Sequence, residues 1–351
     1  MRIGIKKIIA LLLIPQVLII SYLKNNPKIV EEYYSDYLYQ YIFKYYSMLF
    51  SGFSIAIGDL LFIIVLISLA IYFIFFFKFK INDFVNIFAV LSVTIFLFYS
   101  LWGLNYFKTP LLSKLDIGEI KFESLQRTLN HLIDDANNVH LSLGNEDSTI
   151  DSLEFDKEKI MSELKLENIK KFDKISTTKF VKKSIMPKIY LYQGVSGYIN
   201  PFTLEAIVVE EIPSIDFSIT VLHEQAHQLG YAAEEDANFL AFISSINNQD
   251  PLIQYSGYVF GLSYLLNEIQ INHKEDLSSF TDKINSGIIE DINSRRKFWQ
   301  KYSNNILNDL QNVIYDFYLK SNNQKGGIAS YSRIVNHIIN YYENNRNLSN
   351  Y

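Results

Sequence analysis

The sequence predicts a mostly α-helical, membrane-anchored protein in which three apolar helices near the N-terminus precede a larger, water-soluble α+β domain. Three observations predict it. Uncharged apolar runs are confined to residues 8–23, 60–77 and 84–107, near the roughly 17–25 residues that cross a bilayer. From 108 to 351 the composition turns polar and charged, with helical periodicity in most windows. Two short β-rich runs, 188–192 and 206–212, interrupt those helices around a turn-forming stretch at 194–201. The chain therefore divides into a membrane domain, 1–107, and a second domain, 108–351.

The first run follows Arg2, Lys6 and Lys7, and no small-residue cleavage site comes after it, so it reads as an uncleaved anchor in spite of Pro15 and Gln16. Lys78 and Lys80 sit in the short turn between the second and third runs. The positive-inside rule then places the N-terminus and the 78–83 turn in the cytoplasm and everything after Phe107 outside. This describes a multi-pass protein of the cell membrane with an extracytoplasmic C-terminal domain. Between the first two runs, Tyr33, Tyr34, Tyr37, Tyr39, Tyr41, Tyr45 and Tyr46 suit the headgroup layer, as an interfacial helix; a small helix packed on the larger domain is the alternative. Further on, 125–140 and 157–172 read as amphipathic helices, 143–151 and 321–327 as loops, and 330–342 as a last helix.

Composition removes several functions. With 32 Lys and Arg against 37 Asp and Glu the formal charge is −5, so the basic footprint of a nucleic-acid binder is missing. There are no cysteines, so any metal must be held by His, Asp or Glu. No ionisable residue lies within the three apolar runs to mark a transport path.

One segment carries chemistry. In 214–230 the residues Ile215, Ile219, Leu222, Ala226 and Leu229 recur at helical spacing, with Pro213 before them and Gly230 after. Within that helix lies His223-Glu224-Gln225-Ala226-His227. The two imidazoles stand one turn apart on one face, where both reach a single tetrahedral zinc. Glu224, rotated from them by about a third of a turn, accepts a proton as a general base without ligating the metal. Glu210, Glu211 and Asp216 nearby keep this helix out of hydrocarbon.

A catalytic zinc takes a third protein ligand, and three adjacent acids compete for the place: Glu234, Glu235 and Asp236. Successive helical side chains diverge by about 100°, so at most one or two of them point at one metal. Glu234 is preferred because Asn238, one turn later, suits a bracing partner; Asp236 is the runner-up.

This segment resembles the zincin metallopeptidases. Glu234-x-x-x-Asn238 is similar to the Glu-x-x-x-Asp element that supplies the third ligand in glutamate zincins, with Asn in place of the final Asp. The metzincin pattern is not matched, since its third ligand position falls on Ala233. The whole chain resembles a bacterial family of membrane-anchored zincins, domain of unknown function 3810. The resembling stretches are Ser54-Ile55-Ala56-Ile57-Gly58-Asp59, Trp102-Gly103-Leu104-Asn105-Tyr106, residues 194–203, the histidine helix, and Ser330-Tyr331-Ser332-Arg333. The resemblance implies a zincin-like fold for 108–351 and Zn2+ held by His223, His227 and Glu234. It implies Glu224 as catalytic base and hydrolysis of peptide bonds by a zinc-activated water, on a peptide or protein substrate in the cell envelope. The other reading is a non-catalytic envelope protein, binding or structural, that keeps the zincin-like domain.

Several lesser expectations remain. Tyr198, Tyr331 and Arg333 are candidates for oxyanion stabilisation. Glu205 is a capping residue. Residues 206–209 form either the edge strand that pairs with an extended substrate or an ordinary strand. His131, His140, His273 and His337 have no metal spacing around them and read as surface or core residues.

Overall fold

A computed structural model describes residues 4–114, 121–153, 155–166, 180–322 and 327–344. Helix α1 (Ile5–Lys24) loosens at Leu12, where Pro15 has no N–H to give the Leu11 carbonyl. Helix α2 covers residues 27–50, and α3 (Ile57–Phe76) and α4 (Ile81–Leu101) come next. Among the described residues α1, α3 and α4 are the helices long and apolar enough to cross a membrane. α4 begins before its uncharged run because Asp83, which bounds that run, is its cap: the carboxylate accepts from the Lys78 and Lys80 N–H groups at 3.0 and 2.9 Å. It also ends earlier. Trp102, Tyr106 and Phe107 leave the helix axis in a 3-10 turn and are buried.

α2 presents two different faces. Val30, Tyr34, Tyr39 and Phe43 are buried with Trp102, Tyr106 and Phe107, and the same cluster takes in Leu204 and Ala232. Tyr33, Tyr37, Tyr41 and Tyr45 stay exposed. One core thus spans the 107/108 division.

Beyond that division lie α5 (Phe122–Leu143) and α6 (Lys157–Glu163). α6 stops where Leu164 turns extended; 167–172 of the expected helix lie outside the described residues. The chain then forms a three-stranded sheet, made of β1 (Val181–Lys183), β2 (Gly197–Ile199) and β3 (Ala206–Val208), with α7 (Pro187–Gln193) between β1 and β2. The run 188–192, expected as a strand, is helix α7. Pro187 supplies a preset φ in its first turn, and Gly194 closes it in the left-handed region at φ 75°, both of which outweigh a short apolar run. The order is β1-β3-β2, with β1 parallel and β2 antiparallel to β3. Residues 206–208 are therefore the buried central strand, and β1 and β2 are the two edges.

Then come α8 (Ser214–Gln228), α9 (Glu234–Ile246), α10 (Pro251–Asn272), α11 (Leu277–Thr281), α12 (Ser286–Tyr302), α13 (Ile306–Ser321) and α14 (Gly327–Glu343). α8 is buried on nearly every face, because it lies between the sheet and α9. Phe217, Leu222 and Ala226 pack with Val208 and Leu240 on that side, while Leu129, Leu132, Phe242, Leu262 and Ile338 build a second core from α5, α9, α10 and α14. Of the four other histidines, His140 is buried against Tyr255, His273 stacks on Phe122, His337 is buried near Phe239, and His131 is exposed.

Candidate metal centre

His223 and His227 project from the last two turns of α8 with ring centroids 4.5 Å apart. Just past them the chain bends back. Gly230 takes φ 84°, its N–H bonds the His227 carbonyl at 2.9 Å, and the Tyr231 N–H bonds the Ala226 carbonyl at 3.1 Å. This turn sets the start of α9 over the histidines. Glu234 Oε2 lies 3.4 Å from His223 Nε2, and its Oε1 lies 3.7 Å from His227 Nε2. One ligand atom from each of the three residues falls within 4.8 Å of the others.

Glu235 and Asp236 are turned elsewhere. Glu235 pairs with Arg333 at 2.8 Å, and Asp236 accepts from the Leu111 and Leu112 N–H groups at 2.7 and 2.9 Å, on the segment that leaves α4. Among the three competing acids Glu234 alone reaches the histidines. Asn238, expected to brace it, instead donates its amide to the Tyr264 hydroxyl at 3.3 Å. The partner of Glu234 is Tyr315, whose hydroxyl donates to Oε1 at 2.5 Å. Tyr315 escapes sequence reasoning: α13 shows helical periodicity, but no motif separates this residue from the other Tyr among the 25.

The histidines are oriented from behind. His227 Nδ1 donates to the Tyr231 carbonyl at 2.7 Å, which leaves the Nε2 lone pair free for the cleft. Burial holds the His227 pKa down at about 4, with the neighbouring His223 adding to the effect. For Glu234 burial works upward, but His223, His227 and Tyr315 outweigh it and keep the carboxyl well below its usual range. On His223 burial works downward, but Glu234 and Glu224 outweigh it and raise its pKa to about 9. An ionised carboxylate and a neutral imidazole are the forms that ligate a metal, so Glu234 and His227 stand ready and a metal would displace a proton from His223.

Glu224 is 3% exposed, and its Oε2 has no hydrogen-bond partner. Burial raises its pKa to about 8. The edge strand β2 passes directly across it at Gly197, where a Cβ would stand 2.9 Å from Glu224 Cγ and 2.8 Å from Thr220 Cγ2. Only glycine allows this approach. A cleft of about 600 Å³ opens here, lined by Trp102, Tyr198, His223, Glu224, Trp299 and Tyr315 among others. Tyr198 gives its hydroxyl to Asp59 and its ring to Tyr190, Arg333 is held by Glu235, and the Tyr331 side chain lies outside the described residues.

The model of a family described as "Protein of unknown function (DUF3810)" matches residues 34–339. The chain belongs to that family. Among curated proteins, an alignment 150 positions long that covers 39% of the chain is 30% identical to a CRISPR-associated endonuclease Cas9 of Staphylococcus aureus. The chain covers 14% of that protein's length. No solved structure matches.

In this DUF3810 chain the stretches 54–59, 102–106 and 194–203 meet where the apolar helices join the sheet. Trp102 Nε1 donates to the His227 carbonyl at 3.0 Å and the Tyr39 hydroxyl to the Gln228 carbonyl at 2.7 Å, satisfying the C-terminal carbonyls of α8. Glu205, wholly buried, accepts from the Ile57 and Gly58 N–H groups at 3.1 and 2.6 Å, from Thr203 at 2.8 Å and from Lys182 Nζ at 2.5 Å. It caps the start of α3 from the sheet. Lys182 also donates to the carbonyls of Phe50 and Ile55 at 2.8 and 3.0 Å. Gly58 is needed because a Cβ there would collide with the Asn200 side chain.

Proposed function

We propose that this chain is a membrane-bound, zinc-dependent metallopeptidase whose second domain is zincin-like. The observation that carries the reading is the convergence of His223 Nε2, His227 Nε2 and a Glu234 oxygen beside the unpartnered oxygen of Glu224. The donor set fits the metal. His223 Nε2 stands 3.4 Å from Glu234 Oε2 and His227 Nε2 3.7 Å from Oε1, and one donor atom from each residue lies within 4.8 Å of the others, close enough for one ion to draw the three together. Among the described residues no fourth ligand closes the set, which favours catalysis over a structural metal.

When bound, zinc supplies Lewis acidity, polarising the scissile carbonyl and making water acidic. The protein's own residues do the rest. The Glu224 carboxylate would take a proton from the attacking water and return it to the leaving amine. Tyr315 and the Tyr231 carbonyl hold Glu234 and His227 in place. β2, as the edge strand beside Glu224, offers backbone groups to an extended peptide in the envelope. The proposed topology has the N-terminus and the 78–83 turn in the cytoplasm, and 108–351 outside.

Two measurements test this. The full chain purified in detergent is expected to hold one zinc, His223→Ala or His227→Ala to lose it, and Glu224→Gln to keep it while losing hydrolysis of peptides the wild type cuts. Wild-type cleavage rates in Glu224→Gln would falsify the mechanism. A reporter fused after Tyr351 is expected to be active only in its extracytoplasmic form, and the reverse result rejects the topology.

A further inference from the structure

Helix α13 is inside-out for a surface helix. Ile306, Leu310, Val313 and Phe317, at steps of four, three and four, form one stripe and are 80, 53, 69 and 73% exposed. Its opposite face is engaged. Tyr315 reaches Glu234, Tyr318 packs on Tyr106, and Asn308 donates to the Gln193 carbonyl at 3.2 Å. The charges keep to a third flank, where Lys320 pairs with Asp316 at 2.6 Å. The apolar side of a helix is stable facing outward when something other than water covers it.

The far end of α13 says what covers it. The Tyr318 ring lies 6.1 Å from that of Phe98, and Asn322 Oδ1 accepts from the Tyr99 hydroxyl at 3.0 Å. Phe98 and Tyr99 belong to the last turn of α4, where that helix ends. α2 is fastened to the same turn, its Tyr34 hydroxyl donating to the Ser100 carbonyl at 3.2 Å, and it too turns an unpartnered row outward: Tyr33, Tyr37, Tyr41 and Tyr45. Two elements from distant parts of the chain are therefore anchored at the end of one apolar helix with apolar or aromatic faces outward. A bilayer surface accepts both faces at that level: aliphatic side chains below the headgroups and tyrosine rings among them.

We infer that α13 lies in the headgroup–acyl boundary of the bilayer holding α1, α3 and α4, with Ile306, Leu310, Val313 and Phe317 in lipid and its inner face over the cleft. Because the same helix presents Tyr315 to Glu234, seating in lipid and the geometry of the candidate metal centre are linked through one rigid element. The inference rests on α1, α3 and α4 being membrane-embedded, and does not depend on zinc or on peptide hydrolysis.

The absence of native cysteines makes a direct test available. Leu310→Cys and Phe317→Cys, each in the full chain at one copy per nanodisc, carry an environment-sensitive fluorophore, and the phospholipid carries a nitroxide high on the acyl chain. Val65→Cys on α3 is the membrane reference and Leu141→Cys on α5 the water reference. Quenching at 310 and 317 several-fold above that at 141 is expected. Quenching no greater than at 141, with 65 quenched, overturns the placement of α13 alone; no quenching at 65 overturns the membrane reading and the inference with it. Shielding of 310 and 317 that requires two copies per disc would identify a second chain as the cover and reject lipid.

Discussion

Glu205 and Glu224 are buried almost equally, at 0 and 3% exposure, yet their oxygens meet opposite fates. Glu205 takes hydrogen bonds from two backbone N–H groups, a hydroxyl and an ammonium, and in doing so fastens α3 to the sheet. Glu224 faces the cleft with one oxygen unpartnered. Leaving a buried acceptor unsatisfied costs about 1–3 kcal/mol. The fold thus saturates the carboxylate that holds it together and withholds donors from the one that faces the cleft.

The sharpest way to break this contrast is to neutralise each acid system in turn. Glu224→Gln removes a base without removing a structural hydrogen bond, so hydrolysis falls by about 10²–10⁴-fold while the thermal midpoint in detergent stays put or rises. Lys182→Met, by contrast, strands the Glu205 carboxylate and is expected to cost about 3–5 kcal/mol, with much of that recovered by adding Glu205→Gln. Thermal unfolding of the three variants decides it; equal destabilisation by Glu224→Gln and Lys182→Met would erase the distinction.

The same contrast runs through the acids that open α9. Glu234→Ala is expected to weaken zinc binding by more than about 100-fold, beyond what loss of an outer partner does. Asp236→Ala leaves zinc affinity near wild type but loosens the fold by about 1–3 kcal/mol, because the Leu111 and Leu112 N–H groups lose their acceptor. Zinc titrations on both variants check the assignment, and loss of zinc with Asp236→Ala alone would refute it.

How far these roles are legible in the sequence depends on which interactions are local. The three apolar helices show as uncharged runs, and the histidine pair shows because one turn of helix fixes both side chains. Sequence spacing picks out Glu234 as the acid that reaches the histidines, but with the wrong bracing partner, since Asn238 donates to Tyr264 and Tyr315 holds Glu234. Tyr315 arrives from a helix 81 residues away, and no spacing rule reaches that far. Residues 188–192 mislead because a short apolar run suits a strand or a helix, and the deciding signals, Pro187 and Gly194, flank it. Glu205 reads as a local cap; its partners Ile57 and Gly58 lie on another element entirely.

Gly197 sharpens the comparison from the side of the strand. Gly197→Ala places a methyl within 3 Å of Thr220 and Glu224, so β2 or the Glu224 side chain must shift, at a cost of about 1–3 kcal/mol. Zinc content is expected to survive, since the ligands lie beyond the contact, while hydrolysis drops. Unchanged hydrolysis in a folded variant would mean that the position of Glu224 is not set by the strand.

The smallest expected effect concerns a buried base outside the cleft. His337, on α14, is 4% exposed and lies 5.8 Å from the Phe239 ring. Burial, with Arg333 nearby, holds its pKa down at about 4 against an ordinary 6.5. The folded-state value is the lower one, so the unfolded chain binds the proton first. The stability that His337 contributes is therefore complete above about pH 6.5 and is lost as the pH falls toward 4, by about 1 kcal/mol between pH 7 and 5.5. His337→Gln should flatten that part of the acid limb in thermal unfolding scans and leave zinc content unchanged. An acid limb as steep as wild type would show that His337 is not held neutral by the fold. Loss of zinc in that variant would show instead that α14 bears on the metal centre, rather than serving it only through packing on α9.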